Sequence, residues 1–315
     1  MTNIEIRNQK LIDDFASTKG TDNTKESYKS DLRQFARYVQ KDLLEVTIFD
    51  VTNYFNTIKN TKSNQTLRRY LSSLRDFYTL YSLSGEYKNV NPTIRIDTKN
   101  YPISNESNSE PLSIEETKKI VKHIKKEIKN AKSRFQQLLA IRNLTMFIML
   151  INTGMRISEL LYLDFTELDI ENWEIHLKAE KTKGKKDRDI DLLDNDIEYL
   201  KAYLEIRDEL FKGKKCTYKY KKEERNLVFG SHNAKPLTTN QMNDIWKRYG
   251  EAVGIEGLHN HITRNSFISN FYEASGGDIV QTQNQIIHSS ISTTRRYISV
   301  EKKKIKDIKL KTANL

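Results

Sequence analysis

Two arginines, two histidines, a lysine and a tyrosine in the second half of this 315-residue sequence are of the types that act on phosphate esters. They do not belong to any of the common motifs for a bound metal, a bound nucleotide or a nucleophilic serine. No histidine pair brackets a glutamate at helical spacing, and no GxxxxGKS/T loop, GxSxG turn or GxGxxG loop occurs. An enzyme built from these residues would stabilise charge with arginine, lysine and histidine, so we expect neither a metal nor a cofactor.

The first candidate group follows a glycine break. In the segment NTGMRISEL, Arg156 stands just after the glycine, at the head of a new predicted helix. Glu159 lies three residues later, one helical turn away, where its carboxylate can support the arginine. A predicted hairpin further along the chain offers Lys183. The tip of that hairpin also holds three other lysines: Lys181, Lys185 and Lys186.

The second group lies nearer the C-terminus. In HITRNSF, His261 and Arg264 stand at i and i+3, on one face of a helix. In IIHSSISTTRRYISV, His288 precedes Tyr297 by nine residues. Each of these residues taken alone is more often a surface or packing group. It is the ordered set, together with Arg156, that points to a catalytic site.

The first hundred residues are predicted to be helical, with apolar residues at spacings of three and four. Thr24 is the predicted N-cap of one helix, and another should end near Gly85. Basic residues occupy the other faces of both helices, where they would suit a polyanionic partner. They are Lys25, Lys29, Arg33 and Arg37 on one helix and Arg68, Arg69 and Arg75 on the other.

A shift to Asn, Ser, Thr and Pro between Thr93 and Pro111 predicts a linker. We therefore predict an N-terminal helical domain over 1–95, a linker over 96–111 and a catalytic domain over 112–315. A capping box at Ser113 and Glu116 should restart the helices. Alternating residues at 174–178 and 189–192 predict a small hairpin with a lysine-rich tip. The polar stretch 212–225, which contains Cys216, is predicted to be an exposed insertion.

Composition narrows the class of protein. The formal charge is +11 and the pI about 9.3, which favours nucleic acid or an anionic membrane as partner. An amphipathic segment with a large apolar face, which membrane binding would require, is not evident. One cysteine excludes an internal disulfide, and the start of the sequence has no apolar signal core. We expect a soluble, cytoplasmic, mainly helical protein.

The motifs resemble those of the tyrosine recombinase family, which comprises phage integrases and Xer-type recombinases. The matching segments are TGMRISEL, KTKGKKDR, HITR and IHSSISTTRRY, in the order that the family has them. The segments NTKESYKSDLRQFARYV and LRRYLSSLRDFYTLY resemble its N-terminal, SAM-like core-binding domain, so the resemblance covers most of the chain. Two positions depart from it. Asn265 stands where the family usually has histidine, and Ile287 stands where it usually has glycine.

This resemblance implies a mainly α fold with a small β-hairpin or sheet in the catalytic domain, arranged as a two-domain clamp around DNA. It implies that the basic residues named above on the two N-terminal helices bind the duplex. It implies that Tyr297 attacks a DNA phosphate and forms a 3′-phosphotyrosyl intermediate. Arg156 and Arg264 would grip the phosphate, and the remaining catalytic residues would be Lys183, His261 and His288. Exchange between two duplexes would need four protomers, with the C-terminal segment from Val300 onward docking on a neighbour.

The resemblance leaves several alternatives open. The reaction could serve integration and excision of a mobile element or resolution of chromosome dimers. A nicking and closing enzyme like a topoisomerase would use the same chemistry without strand exchange, and a DNA-binding protein could keep the fold without catalysis. The lack of an obvious arm-binding domain before residue 20 favours a simple Xer-like architecture. The need for accessory proteins and the sequence of the DNA site are not fixed by the residues.

Overall fold

The computed structural model describes residues 2–20, 22–102, 110–179, 182, 186–220 and 223–286. The chain divides into two compact units, residues 1–105 and 106–315. Each unit has its own hydrophobic core. The fold class is the predicted one, mainly helical with small antiparallel sheets in the second unit. Within the described ranges, every helix is too short or too polar to cross a membrane.

The first unit is built from four helices of the described chain: α1 Asn3–Ser17, α2 Asp22–Val39, α3 Ile48–Ile58 and α4 Asn64–Leu83. Side-chain oxygens that accept backbone N–H bonds begin three of them, at Thr2, Thr47 and Ser63. Aromatic side chains dominate the core, where edge-to-face and tilted pairs hold the helices together. They include Phe15, Phe35, Tyr54, Phe77 and Tyr78.

The boundaries of α2 and α4 test two predictions. The prediction of Thr24 as an N-cap is wrong, because α2 already includes Asp22 and Thr24 therefore lies in its first turn. The predicted end near Gly85 is confirmed. Helix α4 stops at Leu83, and Gly85 adopts a φ of +77°, a conformation that glycine reaches at little cost.

The start of the predicted linker packs on α4. The Arg75 guanidinium donates to the Ile96 carbonyl at 2.9 Å, and Arg68 Nε donates to the Tyr101 carbonyl at 2.6 Å. Ile96 is buried, and Tyr101 packs against the core of the first unit. Residues 96–101 therefore belong to the first unit, although their composition is that of a linker, because two arginines satisfy their backbone carbonyls.

The second unit is arranged around one central helix, α6. It runs over Arg134–Thr153 and is buried along most of its length, packed between α5, α8 and α10. The predicted capping box at Ser113 and Glu116 is confirmed at the start of α5. The other helices are α5 Ile114–Lys129, α7 Ile157–Leu161, α8 Asp194–Leu210, α9 Thr239–Ala252, α10 Asn260–Ala274 and α11 Ile279–Ile286.

A three-stranded antiparallel sheet follows α7, in the order β1 Leu168–Asp169, β2 Glu174–Leu177 and β3 Arg188–Asp191. The predicted hairpin is confirmed as the pair β2–β3, in which Leu177 lies opposite Arg188. No pattern in the sequence predicts the two-residue strand β1.

The prediction of an exposed insertion over 212–225 is wrong in part. This stretch contributes a second hairpin, β4 Thr217–Tyr220 and β5 Glu223–Asn226, and Cys216 beside it is fully buried. The Cys216 carbonyl accepts the Leu227 N–H at 2.7 Å, so the base of the hairpin is fixed to the core.

Candidate active site

The predicted glycine break after α6 is a tight turn that carries Arg156, the first of the predicted catalytic arginines. Helix α6 ends at Thr153, and Gly154 follows with a φ of +61°. A β-carbon at Gly154 would overlap the Phe267 ring of α10, so both the backbone conformation and the close approach require glycine. The chain then enters α7 at Ile157. We call residues 153–156 the arginine turn.

Arg156 is held at the end of the arginine turn by Glu159. One oxygen of the Glu159 carboxylate accepts the Arg156 backbone N–H at 2.7 Å, and the other accepts the guanidinium Nη1 at 2.7 Å. The Glu159 side chain is 1% exposed and that of Arg156 is 24% exposed. The predicted contact between these residues is therefore present. The buried carboxylate orients a guanidinium that still reaches solvent.

Arg264 reaches the same turn from another helix. It lies in the second turn of α10, it is buried, and its Nη1 donates to the Gly154 carbonyl. Helix α10 is itself anchored, because the Ser266 hydroxyl accepts the Leu112 backbone N–H at 2.7 Å. The structure thus brings both predicted arginines to one turn, although they lie 108 positions apart in the sequence. Asn265, the first departure from the family pattern, is buried beside Arg264.

A third arginine, which sequence reasoning missed, also contacts the turn. Arg188 begins β3, and its buried side chain donates from Nη2 to the Thr153 carbonyl at 2.6 Å. Its Nη1 lies 3.9 Å from the Glu159 carboxylate. A signal for this role was present, because Arg188, Ile190 and Leu192 alternate along the strand and so share its buried face.

The base of the β2–β3 hairpin is closed by side chains. The buried Thr182 hydroxyl donates to the Lys186 carbonyl at 2.8 Å and accepts the Lys186 N–H at 3.2 Å. The Asp187 carboxylate accepts the Ala179 N–H at 2.7 Å. The predicted catalytic lysine, Lys183, lies outside the described residues. Of the alternative lysines, Lys186 is described and is exposed.

His261 lies in the first turn of α10 and is exposed, whereas Arg264, on the same helix, is buried. The His261 and His259 rings contact each other edge to face, with centroids 6.2 Å apart. The Nδ1 atom of His259 lies 2.7 Å from the Gly257 carbonyl. His261 therefore presents an ionisable ring on the surface at the start of the helix that carries Arg264.

Three further predictions of site residues, and one departure from the family pattern, fall on the end of the chain. His288, Tyr297, the docking segment from Val300 onward and the departure at Ile287 lie outside the described residues. The described residues therefore contain three of the six predicted catalytic residues: Arg156, His261 and Arg264.

Three of the four predicted DNA-binding residues of α2 contact acidic or polar partners on α1 and α2. Lys29 Nζ lies 2.7 Å from the Asp13 carboxylate, and this hydrogen bond lowers the pKa of Asp13. Lys25 pairs with Asp22 at 3.3 Å within its own helix. Arg33 Nε donates to Gln9 at 3.1 Å. Arg37, the last of the four, is exposed near the C-terminal end of α2.

The basic residues of α4 also bind groups of the protein. Arg69 donates to the Asp31 carboxylate at 2.5 Å, and Ser73 donates to the other oxygen of that carboxylate at 2.7 Å. Burial nevertheless raises the pKa of Asp31. Arg68 and Arg75 hold the backbone of residues 96–101, as described above. The seven predicted DNA-binding residues therefore differ in how far their charges are already engaged.

Comparison with known protein families matches both units. Residues 110–304 match the phage integrase family, and residues 9–81 match the phage integrase N-terminal SAM-like domain. The chain is 29% identical over 299 residues to tyrosine recombinase XerD of Oceanobacillus iheyensis, with 91% of each chain covered. It is 28% identical to XerD of Staphylococcus saprophyticus, with 90% of each chain covered.

Two of the solved structures with the same fold are complexes with DNA. One is the Tn1549 transposon integrase with a circular intermediate DNA, with a TM-score of 0.67, 18% identity and coverage of 92% of this chain and 94% of that one. Another is the XerH site-specific recombinase in a post-cleavage complex with a palindromic difH substrate, with a TM-score of 0.65, 22% identity and coverage of 90% and 78%. These likenesses show the fold, and the family matches show the membership. The chain belongs to the phage integrase family of tyrosine site-specific recombinases.

Proposed function

We propose that this chain cleaves and rejoins duplex DNA at a specific site, with Tyr297 as the nucleophile. The arginine turn carries this proposal, because two arginines distant in the sequence meet at one backbone turn with their guanidinium groups fixed by hydrogen bonds. Donors fixed before the substrate arrives stabilise developing charge without the cost of reorganisation. A DNA phosphate bound at this turn would therefore contact guanidinium groups that are already oriented.

The chemistry balances without an external energy source. The Tyr297 oxygen forms a bond to the scissile phosphorus, and the bond from phosphorus to the 5′ oxygen breaks. The tyrosine proton passes to His261, and Lys183 supplies a proton to the leaving 5′ oxygen, which departs as a hydroxyl. A 5′ hydroxyl from a partner strand then attacks the 3′-phosphotyrosyl bond and reverses these transfers. The number of phosphoester bonds is the same before and after, so no nucleotide is consumed.

Arg156 and Arg264 differ in what they offer to the phosphate. Arg156 is partly exposed and can donate to a non-bridging oxygen while Glu159 keeps its direction. Arg264 is buried and is oriented by the Gly154 carbonyl, so its remaining N–H groups are directed by the turn. His288 would add a hydrogen bond to the same phosphate. Glu159 is a supporting residue and takes no part in proton transfer.

DNA affinity would come from phosphate contacts of basic residues in both units. In the first unit the helices α2 and α4 carry these residues, and the second unit would contact the duplex from the other side as a clamp. Such binding weakens steeply with salt, because each neutralised phosphate releases counterions. Strand exchange would take four protomers on two duplexes, with the segment from Val300 onward docking on a neighbour.

The biological role is either integration and excision of a mobile element or chromosome dimer resolution. The relatives named XerD cover 90% and 91% of this chain, which supports an Xer-like role. The sequence of the DNA site decides between the two. A site at the ends of a mobile element means integration and excision, and a single chromosomal site means dimer resolution. Exchange by the purified chain alone would show that accessory proteins are dispensable.

Covalent trapping tests the proposed function. Purified protein is incubated with fragmented genomic DNA from its source without metal or nucleotide, and adducts are separated on a denaturing gel. Wild type and the matched control Tyr272→Phe should form an adduct, and Tyr297→Phe should form none. Sequencing the attached DNA then gives the site. Salt-sensitive binding without any adduct would favour the DNA-binding alternative, and an adduct in Tyr297→Phe would show that another residue is the nucleophile.

A further inference from the structure

Arg188 is a buried charged residue that the reaction described above does not use. It follows the lysine-rich tip of the β2–β3 hairpin, and its side chain is 6% exposed. Burial lowers the pKa of Arg188; the Glu159 carboxylate opposes this shift in part, and the charge of Arg156 adds to it. A methionine or leucine would fill the same space without a desolvation penalty. The charge at this position is therefore costly unless it acts on its neighbours.

The neighbours of Arg188 are the groups that direct Arg156. Its Nη2 binds the Thr153 carbonyl, at the start of the arginine turn. Its Nη1 is buried and makes no hydrogen bond within the described chain, but it lies 3.9 Å from the oxygen of Glu159 that also accepts the Arg156 N–H. The buried Glu159 carboxylate thus lies between two guanidinium groups.

We propose that Arg188 is a positioning residue for the cleavage step. From the hairpin side it fixes the Thr153 carbonyl and attracts Glu159, and through Glu159 it sets the direction of the Arg156 guanidinium. This inference rests on the proposed function, because it gives Arg156 the task of binding the scissile phosphate. It adds Arg188, the last residue of the KTKGKKDR segment, which was not among the predicted catalytic residues.

The balance of charge at the turn supports this role. The described contacts bring three guanidinium groups, those of Arg156, Arg188 and Arg264, to a turn supported by the Glu159 carboxylate. The excess positive charge suits a phosphate that gains negative charge in the transition state. Without Arg188, the Glu159 carboxylate would interact with Arg156 alone and would neutralise more of its charge. The effect of Arg188 should therefore depend on the charge of the phosphate.

The test uses two variants of Arg188 and a matched control. Arg188→Met removes the charge and both donors at similar length, and Arg188→Lys keeps the charge without the planar fork. Arg207→Met is the control, because Arg207 is also buried and also binds backbone carbonyls, those of Leu227 and Val228. Each protein is measured on a duplex carrying the site recovered by covalent trapping. A second duplex replaces the scissile phosphate by a neutral methylphosphonate.

Single-turnover cleavage at saturating protein is the readout. Arg188→Met should slow cleavage of the phosphodiester by about ten- to a hundredfold, with DNA affinity unchanged, and Arg188→Lys should fall between it and wild type. On the methylphosphonate duplex, Arg188→Met should cleave at nearly the wild-type rate. Arg156→Ala should likewise lose most of its defect on that substrate. Arg207→Met should leave the ratio of the two rates at the wild-type value. Equal slowing of Arg188→Met on both substrates, or no slowing, would overturn the proposal.

Amide hydrogen exchange separates failure of this inference from failure of the proposed function. If wild type forms no tyrosine adduct on any DNA, the proposed function fails, and exchange over residues 153–161 still tests Arg188. Faster exchange there in Arg188→Met than in wild type and Arg207→Met would support its hold on the turn. Unchanged exchange in Arg188→Met would overturn it.

Discussion

The arginines of the two units are held in different ways. At the arginine turn, Arg264 and Arg188 are buried and donate to successive backbone carbonyls, those of Gly154 and Thr153. On α2 and α4 of the first unit, most of the predicted DNA-binding residues are half-buried or exposed. Several of them pair with carboxylates at the surface, as Lys29 does with Asp13.

This difference separates two tasks of positive charge. A guanidinium fixed by backbone carbonyls keeps one direction, which a reaction at a single phosphate requires. A surface cation paired with a carboxylate can exchange that partner for a phosphate, because such pairs contribute little to stability. We therefore expect substitutions at the turn to change the rate of cleavage, and substitutions on the helix faces to change affinity and its dependence on salt.

The largest effect is expected at the arginine turn. Arg264→Lys keeps the charge but loses the planar fork that binds the Gly154 carbonyl and, in the proposed function, the scissile phosphate. Single-turnover cleavage at saturating protein should fall by about a thousandfold. Affinity for the same duplex, measured by fluorescence anisotropy, should stay near the wild-type value. A rate near wild type would show that Arg264 does not stabilise the charge of the reaction.

The next effect concerns stability at the same turn. Gly213 and Gly154 both have a positive φ, but a β-carbon at Gly213 meets open space and one at Gly154 meets Phe267. Gly213→Ala should lower the free energy of unfolding by about 1 kcal/mol for backbone strain. Gly154→Ala should cost about 2 kcal/mol more, because the ring must move. Urea denaturation measures both, and equal losses would show that the approach of Phe267 is unimportant.

A smaller effect distinguishes the arginines of the first unit. Arg75 binds the Ile96 carbonyl, so Arg75→Met should lower the free energy of unfolding by about 1 kcal/mol. Arg37 is exposed, so Arg37→Met should leave stability unchanged. It should instead reduce the slope of log K against log salt by about 1. Loss of stability in Arg37→Met, with a reduced salt slope in Arg75→Met instead, would contradict the division between structural and DNA-binding arginines.

The smallest effect is a pH dependence on the outer face of the β2–β3 hairpin. The hydrogen bond to Asp189 raises the pKa of His176, and Glu174 and Asp169 add to this. The extra stability is fully present below the ordinary histidine pKa of 6.5 and is lost as pH rises through the raised value in the folded protein. In Asp189→Asn, the thermal melting temperature should depend less on pH over this range. A dependence that persists in Asp189→Asn would assign it to another group.

The elements of the fold that depend on local sequence pattern could be predicted. The helical spacing in α4, the capping box at Ser113 and the alternation of β2 and β3 each follow from neighbouring residues, and each is present. The contact of Glu159 with Arg156 also spans only one turn of helix. These features need no knowledge of distant packing.

Contacts between distant segments could not be predicted in this way. The alternation of Arg188 with Ile190 could place it on the buried face of β3, but its bond to the Thr153 carbonyl depends on how β3 packs on the end of α6. Residues 96–101 have the composition of a linker, yet Arg68 and Arg75 bind their carbonyls. Cys216 lies in a polar stretch and is buried because the second hairpin folds onto the core.

One experiment measures both the cleavage rate and the DNA affinity on the same duplex. Dissociation constants and saturated single-turnover cleavage rates are determined on one duplex for Arg156→Lys and for the double variant Arg33→Ala with Arg37→Ala. Arg156→Lys should lose cleavage rate and keep its affinity, whereas the double variant should lose affinity and cleave at the wild-type rate once saturated. Loss of affinity without loss of rate in Arg156→Lys would contradict the role assigned to the arginine turn.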